Sequence, residues 1–117
     1  MNHFKFGDIV LVNLAGEEEK PTVAKKGYAL IISSDTVNDN LDTVIVCPMV
    51  KSEKTTRSRI GATFIPKEIV DLGEHQLILS FVIKTIVKDR IIKRINTLPK
   101  SYMQQVKESL QTVLSLD

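Results

Sequence analysis

The chain holds a single cysteine, Cys47, among 117 residues, and only two histidines, His3 and His75. One thiol excludes an internal disulfide, as expected for a reducing compartment. Cys47 lies inside an apolar run and reads as a small core residue, because catalytic thiols sit in exposed, electropositive surroundings. The histidines are far apart, with no cysteine or carboxylate at ligand spacing, so no metal and no other cofactor is expected. Long apolar runs are also missing. None approaches the about 20 residues of a membrane helix. The start, Met1-Asn2-His3-Phe4-Lys5-Phe6-Gly7, has no secretory apolar region, so a cytoplasmic protein is expected.

Charge of one sign is scarce too. The net charge is +2, too small to indicate a nucleic-acid partner by itself. Its distribution says more. Lys25 and Lys26 are adjacent, Lys51, Lys54, Arg57 and Arg59 fall close together, and Lys84, Lys88, Arg90, Lys93 and Arg94 form a second cluster. Basic residues gathered on loops make a local phosphate-binding field; scattered lysines on a solvated surface are the plainer reading. The length fits one domain, residues 1–117, able to bury a core without staples.

Short apolar runs dominate what is present. Residues 8–14, 28–34 and 42–50 are apolar and rich in β-branched side chains, which predicts three strands. The third is apolar almost throughout, as in strands covered on both faces. Residues 15–27 between the first two are a polar loop with an acidic start and a basic end; a loop of this length is more often functional than a spacer. Ser34-Asp35 can cap a helical turn through Asp39. Residues 51–58 read as a charged loop, 59–65 as a fourth strand ended by Pro66, and 70–75 as a turn. Residues 76–87 alternate as one long strand, with Leu77, Leu79, Phe81, Ile83 and Thr85 on one side and Ile78, Ser80, Val82, Lys84 and Ile86 on the other. A helical turn at Lys88-Asp89-Arg90 and a short strand at Ile91-Ile92-Lys93-Arg94-Ile95 follow. Pro99 fits the first turn of a terminal helix, in which Met103, Val106, Leu110 and Val113 recur at helical spacing. Many short strands and one helix predict a mainly β fold: a small, partly open barrel with a helix packed against it.

The order and spacing of these pieces resemble the MazF/PemK toxin family, which shares an SH3-like barrel with the CcdB toxins. The matching segments are Gly7-Asp8-Ile9-Val10-Leu11-Val12, Lys26-Gly27-Tyr28-Ala29-Leu30-Ile31-Ile32-Ser33, Val44-Ile45-Val46-Cys47-Pro48-Met49, Ile83-Lys84-Thr85-Ile86-Val87-Lys88-Asp89-Arg90-Ile91 and the helix from Met103. The resemblance implies a cytoplasmic toxin of a toxin–antitoxin pair: a homodimer that cuts single-stranded RNA without a metal. A cognate antitoxin peptide, extended and partly disordered, would block it. The chemistry needs a base for the ribose 2′-hydroxyl, a cation for the phosphorane and an acid for the leaving oxygen.

The chain departs from the family where those groups belong. The family's arginine–proline pair opening the second strand aligns with Gly27 and Tyr28, and its hydroxyl residue after the third strand with Val50. An arginine and an aspartate that some members carry on a later strand align with Ser80 and Val82. Under an enzyme reading, Lys26 replaces the arginine as a phosphate clamp, Ser52 replaces the hydroxyl, and Glu18, or its neighbour Glu19, is the base. Lys25, Lys51, Lys54 and Arg57 would contact the RNA backbone, and Tyr28 would stack on a base or plug the groove. Under a second reading, the barrel binds RNA, an antitoxin-like peptide or another protein without cutting. Under a third, it poisons a protein target as CcdB-like relatives do. His75, in a turn, reads as solvated rather than as an acid or base.

Overall fold

β-Branched and apolar residues at strand spacing build seven strands: β1 (Asp8–Asn13), β2 (Lys26–Ile31), β3 (Thr43–Ser52), β4 (Ala62–Ile65), β5 (His75–Leu79), β6 (Lys84–Val87) and β7 (Ile91–Thr97). Among the described residues three α-helices accompany them, α1 (Asp35–Asn40), α2 (Lys67–Val70) and α3 (Lys100–Leu114), and the expected helical turn at Lys88–Arg90 is a 3-10 turn. This computed structural model describes residues 3–13, 26–52 and 60–116. The strands form one antiparallel sheet in the order β4-β5-β3-β2-β1-β7, and β6 lies beside the first half of β3. Among the described residues, β4 and β7 at the two ends do not pair with each other, so the barrel is partly open.

The core occupies both faces of the sheet. On one face Ile9, Leu30, Cys47, Met49 and Ile78 pack with Met103 and Val106 of α3. On the other, Val10, Val12, Ala29, Ile31, Val44, Val46 and Ile86 pack together with Phe4. β3 is therefore covered on both sides through Met49, as its continuous apolar run requires, and emerges at Val50. Gly7 permits the close approach of the terminal helix. Its φ is +95°, and a Cβ there would lie 3.3 Å from Met103 Cγ.

The helices follow the sequence signals. Ser34 Oγ accepts from the amide of Val37 and caps α1. In α3, Met103 and Val106 are buried while Gln104, Lys107, Glu108 and Gln111 face solvent. Pro99 stands one position before the first turn rather than inside it. Ser115 ends α3 in the left-handed region, φ 58°, where glycine is unstrained. Ser115→Gly is expected to raise stability by about 0.5–1 kcal/mol, read as a higher urea midpoint with an unchanged slope.

The structure corrects several boundaries. β2 begins at Lys26 and ends at Ile31, so Lys26 and Gly27 belong to the strand rather than to the preceding loop. β3 runs on through Lys51 and Ser52, where the charged stretch predicts a loop; residues 53–59 lie outside the described residues. Val70 closes the short helix α2 and His75 opens β5.

The largest correction falls on residues 76–87, which form two strands and not one. Both pair with β3: Ile78 with Met49 and Lys84 with Val46. Six positions separate the first members of these pairs and three separate their partners, so three residues are left over. They form a turn in which the Val82 amide donates to the Leu79 carbonyl at 3.1 Å. The Ser80 amide donates to the carbonyl of Gly61 at 2.8 Å, and its hydroxyl bonds Ser109 of α3 at 2.8 Å. Gly61, φ +82°, makes room for the Phe81 ring, which would meet a Cβ at 2.9 Å.

Candidate nucleic-acid groove

Opposed residues of an antiparallel pair share a face, and successive residues alternate. Tyr28 pairs with Met49, and Ala29 with Pro48. One further step in that register sets Gly27 beside Val50, the positions that stand for the family's arginine and hydroxyl residue. Gly27 faces Val12 on β1, Val50 faces Leu77 on β5, and Leu77 faces Phe64 on β4. The result is a row across five neighbouring strands with no polar side chain. Val50 is 40% exposed, so the row opens to solvent.

Strand alternation then sorts the candidate residues. Ser52 shares the face of Val50 and is buried opposite His75. His75 accepts from the backbone amide of Lys67 through Nδ1 at 3.0 Å and packs on Phe64 with ring centroids 5.3 Å apart. It is thus tied into the fold rather than free in a turn. Lys26 and Tyr28 alternate to the opposite face. Lys26 is exposed at the first position of β2, and half-buried Tyr28 packs on the core beneath α3. Lys51 lies 3.0 Å from Glu74 in a solvent-exposed ion pair. The structure therefore does not bring Lys26 and Ser52 together on one face. Glu18, Lys25, Lys54 and Arg57 lie outside the described residues.

Most of the second basic cluster serves the fold. Lys88 Nζ donates to the carbonyl of Asn38, Arg90 to that of Asn13 at 3.3 Å, and Arg94 lies 3.7 Å from Asp8. Lys84 is different. Its register partner Val46 puts it on the Gly27 face, where a crevice of about 70 Å³ is lined by Val12, Gly27, Ala29, Val46, Pro48 and Lys84 among others. Among the described residues, no acidic side chain lines this crevice.

Ser80, the position aligned with the later-strand arginine, is fully buried and holds the turn against α3. Cys47 is fully buried opposite Leu30, and burial pushes its thiol up to about 11. It is protonated at neutral pH and part of the core. His3 sits near Asp39 at 4.0 Å on the exposed surface. No helix among the described residues is long and apolar enough to cross a membrane.

The class these observations define is a small open β-barrel with a helix sealing one face and an apolar row with a cation at its rim on the other. The chain belongs to the family of PemK-like, MazF-like toxins of type II toxin–antitoxin systems, whose model matches residues 5–114. It is 26% identical over 93 residues to the endoribonuclease MazF6 of Mycobacterium tuberculosis, covering 80% of this chain and 82% of that one. The same figures hold for the endoribonuclease MazF2 of Mycobacterium bovis. In fold it is similar to the MazE–MazF complex of Deinococcus radiodurans, with a TM-score of 0.80 at 14% identity and all of both chains covered. A mycobacterial endoribonuclease in complex with its cognate antitoxin gives 0.76 at 16% identity, over 100% of this chain and 98% of that one. These likenesses carry the MazF-type fold.

Proposed function

We propose that this protein is the toxin of a toxin–antitoxin pair, an endoribonuclease that cuts single-stranded RNA without a metal. The observation that carries this reading is the family match over residues 5–114 together with an open face at the Gly27–Val50 row. The chain acts as one domain, as a homodimer in the cytoplasm, and an antitoxin peptide held in the groove keeps it silent. The 2′-oxygen of the ribose attacks phosphorus while a base takes its proton. The bond to the 5′-oxygen breaks, that oxygen is protonated, and a 2′,3′-cyclic phosphate and a 5′-hydroxyl remain. Glu18 is the base and Ser52 supplies the hydroxyl on the groove face. Lys26, at the first position of β2 and reaching round from the opposite face, and Lys25, Lys51, Lys54 and Arg57 hold the backbone of the strand, and Tyr28 borders it.

Purified protein with a long transcript of mixed sequence and a chelator is expected to yield fragments ending in a cyclic phosphate, identified by mass. Intact RNA at high protein concentration would overturn the enzyme reading. A second reading, a barrel that binds without cutting, is favoured by Gly27 and Val50, which place no polar side chain where the family has two. It requires that the protein retain RNA or an antitoxin-like peptide while leaving the transcript whole.

A further inference from the structure

The groove face carries no side chain at Gly27, and Lys26 alternates to the other side of the sheet. A cation nevertheless reaches that face from a different strand. Lys84 on β6 stands opposite Val46, on the same side as Gly27, Pro48 and Val50. It borders the crevice that Gly27 also lines. We propose that Lys84 is the phosphate-binding cation of the RNA site, acting across the crevice in place of the absent arginine; the assignment rests on the ribonuclease reading above.

Three observations carry it. Among the described residues, the Lys84 side chain takes part in no ion pair or hydrogen bond within the fold, whereas those of Lys88, Arg90 and Arg94 in the same cluster all do. Among the described residues, the crevice lining holds no acid that would compete with a phosphate for the ammonium group. A volume of about 70 Å³ admits a few waters and not a nucleobase. An RNA strand therefore lies over the crevice, sugar against Pro48 and Ala29, with its phosphate toward the rim where Lys84 stands. Lysine acts there as a point charge without the planar fork of arginine. Such a site lowers the barrier but selects its phosphate less strictly.

The test uses the full chain, a mixed-sequence transcript for cleavage, and its DNA copy, which lacks the 2′-hydroxyl and cannot be cut, for binding. Lys84→Met keeps the methylene stem over the crevice and removes only the charge; Lys84→Ala removes both. Each is expected to lower kcat/KM by about 10–100-fold. Each is also expected to shrink the slope of log affinity against log salt by about 0.7, the loss of one phosphate contact on a single strand. Lys84→Arg should stay within about threefold of the parent. Gly27→Arg combined with Lys84→Met should recover activity, which a merely structural role for Lys84 would not give. Lys93→Met, an exposed cation on β7, should change neither readout. The assignment is overturned if Lys84→Met, folded by circular dichroism, cuts and binds with the parent's rate and salt slope. It is equally overturned if only binding of an acidic peptide is weakened. Should the parent itself neither cut nor bind, the ribonuclease reading fails and takes this assignment with it.

Discussion

Leu30→Ala is expected to destabilise the fold by about 3–4 kcal/mol, within the range for emptying a buried leucine site. Leu30 is fully buried in β2, opposite Ile9 on β1 and Cys47 on β3. It belongs to the cluster that joins the sheet to Met103 and Val106 of α3. Strands pinned on both sides cannot collapse into the space, so the cavity persists and its lining loses dispersion contacts. For a domain of this size the loss is a large share of a total stability of about 5–15 kcal/mol. Urea unfolding followed by circular dichroism measures it directly. Cys47 gives a second readout. Burial keeps its thiol protonated up to about pH 11, and the alanine variant opens the position beside it. A thiol reagent at pH 8 should label Leu30→Ala much faster than the parent. A cost under about 1 kcal/mol, with labelling unchanged, would mean that β2 is not a central strand.

The Gly27–Val50 row was only half legible in the sequence. The apolar runs placed β1, β2 and β3, and helical spacing placed α3, because burial on one face writes a period into the chain. The row itself needs register, which no single strand encodes. Gly27 and Val50 become neighbours only when Tyr28 is known to face Met49. Lys84 shows the limit sharply. In an unbroken strand over residues 76–87 it shares the face of Ile78, which packs under α3. The three residues left over at the turn are an odd number, so they reverse the alternation, and Lys84 comes out on the face of Leu77 and Val50. Nothing local announces that turn: residues 80–83 read Ser-Phe-Val-Ile, without glycine or proline. Its causes lie elsewhere, in the Gly61 carbonyl, the space above Gly61 and the Ser109 hydroxyl. Ser52 failed to announce its burial for a related reason. The charged stretch that follows it hides the fact that β3 continues as far as the partner of His75.

Asp8→Ala is expected to cost about 3 kcal/mol, lowering the melting temperature by roughly 10 °C. A buried carboxylate invites assignment as a catalytic acid or base, and Asp8 is fully buried. Its hydrogen bonds argue otherwise. Oδ2 accepts from the amide of Lys5 at 2.9 Å and Oδ1 from the hydroxyl of Thr97 at 2.8 Å, with Arg94 at 3.7 Å. The adjacent Gly7 donates to Ile31 at 2.8 Å and accepts from the amide of Leu98 at 2.9 Å. Together these bonds tie the first described turn to β2 and to the end of β7, at the far end of β1 from Val12 and the groove row. Alanine leaves the Lys5 amide and the Thr97 hydroxyl without their acceptor in a partly buried site, and each orphaned donor costs about 1–3 kcal/mol. Thr97→Ala removes one donor and leaves the carboxylate its other partners, so a loss of about 1 kcal/mol is expected. The decisive comparison is Asp8→Asn. Its amide retains one acceptor oxygen, so the variant should fold at low temperature with intermediate stability. RNA cleavage measured there should match the parent, because the carboxylate holds the chain and takes no proton from the substrate. Cleavage reduced 100-fold in folded Asp8→Asn would move the reacting groups to the start of β1 and away from the Gly27 face.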